Sequence, residues 1–183
     1  MGLAFLGSWA STSLFSSLST GTHVLTARRH GEGNPEGVGQ VLNNSLIICF
    51  ILGIVFGAIG YFYSYNIMDF FSKDDAVTEA GAQYMRYQFF GLPFFLLIVS
   101  YRGFFYGIGH TKIFMYSALI INVFNIFFNY LLIFGALGFP RMQLAGAGLG
   151  SSLSMFLGWL FFLFVSLSRY YRKQYKYFSH VRL

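Results

Sequence analysis

Charge in this chain is confined to a few short clusters. Splitting the sequence at every Asp, Glu, Lys and Arg leaves uncharged stretches at 1–27, 37–68, 87–101, 113–140 and 142–168. Four of them exceed the roughly 20 residues a helix needs to cross a bilayer core. The stretch 87–101 is short, but carried back through Ala82 and on to Tyr106 it makes a full span, with Arg86 and Arg102 near its ends. Long basic side chains in such positions reach back to the membrane surface. Hydrocarbon gives the backbone no hydrogen-bond partner, and runs this long lack the short alternating segments of a barrel, so each is read as a helix. The expectation is an all-α integral membrane protein: five transmembrane helices at about 3–27, 41–68, 82–107, 113–137 and 143–168, then a basic cytoplasmic tail, 169–183.

Composition excludes the competing classes. Only 10% of the residues are charged while 56% are hydrophobic, against about 25% charged in an ordinary soluble domain. A disordered chain requires the opposite balance. The single cysteine, Cys49, lies in an apolar run and supports neither an internal disulfide nor a multi-cysteine metal site, so it is read as packing.

Orientation follows from which loops hold the basic residues. Alternate loops put Arg28, Arg29, Arg102, Lys112, Arg169, Arg172, Lys173, Lys176 and Arg182 on one side, with only Glu32 and Glu36. The other side holds Lys73, Arg86 and Arg141 together with Asp69, Asp74, Asp75 and Glu79. Nine basic residues against three place the N-terminus outside, the C-terminus inside, and the protein in a cytoplasmic (inner or plasma) membrane as a multi-pass chain. The net charge of +6 therefore reflects topology, and no nucleic-acid partner is expected.

The first run, Met1 to Ala27, has no positive start and is diluted by Ser and Thr, unlike a signal peptide. Thr12, Ser16 and Thr20 recur every four residues, a spacing that lets another helix approach closely. Similar small-residue spacing occurs at Gly53 and Gly57, at Gly103 and Gly107, and at Gly146, Gly150, Ser154 and Gly158. The segment HGEGNPEG, 30–37, lacks the Lys and the preceding strand of a phosphate loop and is read as a turn begun by Asn34-Pro35. His23, His30, His110 and His180 form no metal or catalytic motif, so no enzyme and no cofactor are expected.

Asn122, Asn125 and Asn129 stand among Phe, Ile and Leu in the fourth span. Spacings of three and four put their carboxamides on one helix face. An unpaired carboxamide in hydrocarbon costs several kcal/mol, so this face meets other helices, water or an ion. Two readings stay open: interhelical hydrogen bonding, or the lining of a cation or substrate pathway. Ser151 and Ser152, early in the last span, offer further oxygens.

The ordered set GTHVLTARRHGEGNPEGVGQVLNNSL (21–46), YMRYQFFGLPFF (84–95), YRGFFYGIGHTK (101–112), NVFNIFFNYLLIFGALGFP (122–140) and LAGAGLGSSLS (144–154) resembles the multidrug and toxic compound extrusion (MATE) family. The resemblance implies that the five helices are the second through sixth of an N-terminal lobe, in transporters built as two six-helix lobes around a cavity. It also implies alternating access in which sodium or proton entry drives export of small amphipathic or cationic compounds. Asn125, Asn129 and Ser151 match the family positions that line the N-lobe cation site, a possible sodium site, with Asn122 and Ser152 added as pathway candidates. The family carries an acid on its first helix, which has no counterpart here. A partial chain is the corresponding expectation, with the first helix and second lobe supplied by further sequence or another chain. Two alternatives remain: a lipid-linked oligosaccharide flippase of the same broad architecture, and a non-transporting membrane subunit.

Overall fold

A computed structural model describes residues 2–72 and 74–175, apart from the side chains of residues 2–16 and of Arg172. Thr12, Ser16, Lys73, Arg172, Lys176, His180 and Arg182, used in the sequence reading, lie outside the described residues or side chains. The described chain is helical throughout: α1 (Gly2–Gly31), α2 (Pro35–Phe71), α3 (Asp75–Phe90), α4 (Leu92–Gly107), α5 (Thr111–Phe134), a 3-10 turn (Ala136–Gly138), α6 (Gln143–Ser166) and α7 (Arg169–Tyr175). Three of these, α2, α5 and α6, are long and apolar enough to cross a membrane, and the bent pair α3–α4 makes a fourth when counted as one span. The 30-residue α1 is long enough, but its Ser and Thr keep it below that level of hydropathy.

The α1–α2 connection is a tight turn in which Gly33 takes φ +67°, and the Asn34 side chain caps α2 by accepting from the Gly37 N–H at 2.8 Å. Small residues then decide which helices touch. A Cβ on Gly103 would lie 2.5 Å from the Ser19 carbonyl oxygen, and one on Gly107 the same distance from Thr26 Cβ. The backbones of α1 and α4 therefore meet directly. The contact face of α1 runs through Ser19, Thr22 and Thr26, all buried, whereas Thr20 is exposed. Thr20, the one member of the expected four-residue stripe whose side chain is described, thus lies off the contact face, because the glycines of α4 select that face.

The span expected at 82–107 is broken at Gly91. Pro93, in the first turn of α4, has no N–H to donate and clashes with a continuing helix, and the pair bends by 46°. The Gly91 N–H turns to the Gln88 carbonyl, which frees the Tyr87 carbonyl. Ser152 on α6 donates its hydroxyl to that oxygen. Gly53 of α2 sits against Pro93 from the other side. Replacing Ser152 by Ala is expected to leave the Tyr87 carbonyl without a donor and cost about 1–3 kcal/mol. Thermal unfolding in detergent checks this, and an unchanged midpoint would contradict it.

The core is aromatic. Tyr101 and Phe162 stack with rings 1° from parallel and centroids 5.4 Å apart, and Phe105 stacks on Phe162 at 5.7 Å. The segment expected as a plain basic tail begins as α7, which folds back on this core. Tyr171 packs on Phe105, Tyr175 packs on Phe104, and the Tyr171 hydroxyl lies 2.6 Å from His110 Nδ1. His30 is also close to Tyr175. The ends of α1 and α4, the starts of α2 and α5, and α7 therefore gather at one end of the bundle, which carries Arg28, Arg29, Lys112 and Arg169.

Candidate ion and substrate site

The sequence that builds α5 places Asn125 and Asn129 one helical turn apart, facing α6. Asn129 Nδ2 donates to Asn125 Oδ1 at 3.0 Å, and Asn125 Nδ2 donates to Ser151 Oγ at 3.1 Å. A polar chain therefore links two helices through otherwise apolar surroundings. Gly150 makes the approach possible, because a Cβ there would lie 2.6 Å from Asn129 Oδ1. Asn129 Oδ1 is buried and has no hydrogen-bond partner among the described residues. Whichever way the amide is turned, one of its two polar atoms lacks a partner. A buried oxygen without a donor costs about 1–3 kcal/mol.

The other two residues expected at this site lie elsewhere. Asn122 is exposed and donates to the Ala118 carbonyl of its own helix at 2.8 Å, beside a crevice between α4 and α5. Its carboxamide does not join the other two. Ser152 is occupied at the α3–α4 break described above, on the α3 side of α6. The three helix-periodic asparagines thus divide between two surroundings. Across a helix interface, a rotation of 60° (three residues of helix, less one turn) is enough to change the neighbour.

A second polar arrangement escaped the sequence reading. Thr22 Oγ1 lies 2.7 Å from Ser45 Oγ, which lies 2.7 Å from Ser100 Oγ, joining α1, α2 and α4. These hydroxyls are 23 and 55 residues apart in sequence, and no local motif signals them. Thr22 and Ser45 line a cleft of about 470 Å³ between α1 and α2, together with Gln40, Asn44 and Arg29. That volume is in the range that holds drug-sized molecules, about 300–1,000 Å³. Arg29 also pairs with Glu32 at 3.3 Å, and Arg28 pairs with the same carboxylate at 3.0 Å. The Arg28 hydrogen bond, ahead of the charge of both arginines, holds the Glu32 carboxyl below its usual range.

No group of three or more His, Cys, Asp or Glu that could hold a metal ion exists among the described residues. What α5 and α6 present is a set of neutral oxygens: two carboxamides and a hydroxyl. Oxygen donors of this kind suit a hard cation, with carboxylate normally added to compensate the charge.

With this geometry in place, the relationship to known proteins is direct. The MatE family model matches residues 1–131, most of the chain, and the chain belongs to that family. It is 28% identical over 137 residues to the probable multidrug resistance protein YoeA of Bacillus subtilis (strain 168), covering 75% of this chain and 30% of that protein. In solved structures it superposes with a TM-score of 0.83 and 25% identity on an inward-facing multidrug resistance MATE family transporter of the MOP superfamily, covering 92% of this chain and 38% of that one. A MOP superfamily transporter from Pyrococcus furiosus Vc1, described by a reverse polarity of its binding pocket that suggests a different function, gives 0.84 at 25% identity, covering 95% and 37%. The chain spans between 27% and 32% of the length of the first curated relatives it matches. It is a membrane protein of a transporter family, with the fold of one part of such transporters.

Proposed function

We propose that the chain is part of the N-terminal lobe of a cation-coupled efflux antiporter, in which sodium or proton entry drives export of small amphipathic or cationic compounds. The observation that carries this reading is the buried, partnerless Asn129 oxygen beside Asn125 and Ser151. The carboxamide chain ends on an oxygen that is still able to accept. Asn125, Asn129 and Ser151 contribute neutral ligands to the coupling ion, and a carboxylate from the rest of the transporter compensates its charge. The cleft between α1 and α2 contributes one wall of the compound's path, with the remaining helices, in the same chain or another, completing the cavity. Family membership and the naming of relatives as probable multidrug resistance proteins support the substrate class.

In this reading the end of the bundle bearing Arg28, Arg29, Lys112 and Arg169 faces the cytoplasm, by the same asymmetry that retains basic loops inside. The N-terminus is then outside, α7 lies at the inner surface, and the membrane is the cytoplasmic one. The test is movement of ethidium in everted vesicles carrying the full-length protein. Accumulation is expected when a sodium or proton gradient is imposed, and is expected to stop when an ionophore collapses it. Abundant, folded protein that moves no organic cation under either gradient, yet translocates lipid-linked sugar, would overturn the antiporter reading.

A further inference from the structure

A second cavity lies apart from the asparagine chain, in the crevice where α4 and α5 diverge. It holds about 220 Å³ and is walled by Phe95, Ile98, Ile121 and Phe114, with Arg102 among its lining residues. The arginine is fixed at two points. Its Nε donates to Ser19 Oγ at 3.1 Å, and its guanidinium carbon stands 5.6 Å from the centre of the Phe114 ring. Holding the Nε edge leaves the two terminal nitrogens to present a forked set of donors, the geometry that matches phosphate. Neither ion pair seen among the described residues, Arg28 and Arg29 with Glu32, involves Arg102.

We propose that this crevice binds an anionic phospholipid, its phosphate on Arg102 and the beginning of an acyl chain against the apolar walls. Three features select that occupant. Arg102 stands five residues before Gly107, the end of α4, or about 7.5 Å in from that end at 1.5 Å per residue, a distance over which a long basic side chain reaches toward headgroups. The same end carries Arg28, Arg29 and Lys112, a basic field that concentrates anionic lipid. The cavity is also smaller than the ~300 Å³ at which drug-sized pockets begin, so it fits a length of chain and excludes a bulky compound. Its outer edge continues into Met115, Leu119 and Val123 of α5, each more than half exposed. An acyl chain leaving the crevice meets an apolar surface.

Arg86 supplies an internal control. It too is anchored through Nε to a serine, Ser64, at 3.1 Å, but it is exposed and lines neither of the two cavities described. The experiment is native mass spectrometry of the full-length protein incubated with equal amounts of phosphatidylglycerol and phosphatidylcholine. The wild type is expected to retain phosphatidylglycerol in excess, and Arg102→Gln to reduce that excess about tenfold, the scale of one lost charge-assisted phosphate contact. Ala118→Leu, which fills the crevice and leaves the charge, is expected to do the same, while Arg86→Gln leaves the excess intact. Should Arg102→Gln fail to fold, Ala118→Leu decides alone. Equal retention of both lipids by the wild type overturns the proposal. So does an excess that survives Ala118→Leu, which marks attraction to surface charge instead of a built crevice.

Discussion

Asn129→Leu is expected to abolish most ion-driven export while the protein remains in the membrane at near wild-type abundance. The two effects separate because the residue makes little packing energy. Its one hydrogen bond is to Asn125, at 3.0 Å on the same helix, and hydrogen bonds within membrane bundles average about 0.6 kcal/mol. Its oxygen has no partner to lose, and Leu has nearly the shape of Asn, so removing a buried orphan atom offsets much of the lost bond. Transport is different. A ligand to a cation contributes about 1.5–3 kcal/mol by the scale of hydrogen bonds to charged groups, which converts to roughly a ten- to hundredfold loss of rate. Export per folded molecule, with abundance measured in the same membranes, checks it. Loss of export and abundance in equal proportion would mean that the asparagines only hold α5 to α6.

The largest effect on folding is expected at the α1–α4 contact. Gly103→Leu drives a side chain into the Ser19 carbonyl, Thr22 and the His23 backbone nitrogen, where even a Cβ would lie 2.5–3.1 Å from its neighbours. Backbone cannot move aside as a flexible side chain can, and overpacking of this kind costs about 3 kcal/mol or more. The damage propagates, because Ser19 anchors Arg102 and Thr22 begins the hydroxyl chain to Ser45 and Ser100. The expected result is a severe drop in folded protein, read as monodisperse material recovered in detergent. Gly109→Leu makes the comparison, since a Cβ there meets nothing within 4 Å although its φ of +77° adds strain. Equal yields for the two would contradict direct backbone contact between α1 and α4.

Most of the helical plan was legible in the distribution of charge, because hydrocarbon tolerates few ionised groups and so marks where spans begin and end. The break at Gly91 was legible only in part. Pro93 announces a kink, but whether a kinked run stays one straight span depends on what receives the freed carbonyl, and Ser152 is 65 residues away from Tyr87. The fate of α7 was hidden for the same reason. A basic segment reads as a solvated tail until Tyr171 and Tyr175 find Phe105 and Phe104.

The site shows the same division. Helical period correctly brought Asn125 and Asn129 together, yet it also grouped Asn122 with them, and that carboxamide turns back to Ala118. Periodicity states which residues share a face, not where a neighbouring helix ends. Ser151 and Ser152 are adjacent and chemically identical, and a helix points them about 100° apart, one toward Asn125 and the other toward Tyr87. Only the position of α6 against both α3 and α5 assigns them. The Thr22–Ser45–Ser100 chain, spread over three helices, had no sequence signal at all.

If Asn125, Asn129 and Ser151 touch the coupling ion, the ion concentration that half-saturates export in reconstituted full-length protein differs between wild type and Asn125→Ala. Coordination predicts a shift of about tenfold or more to higher sodium, or to lower pH where protons drive transport. An unchanged half-saturation point, with only the maximal rate reduced, would contradict it and leave the asparagine chain as a packing device.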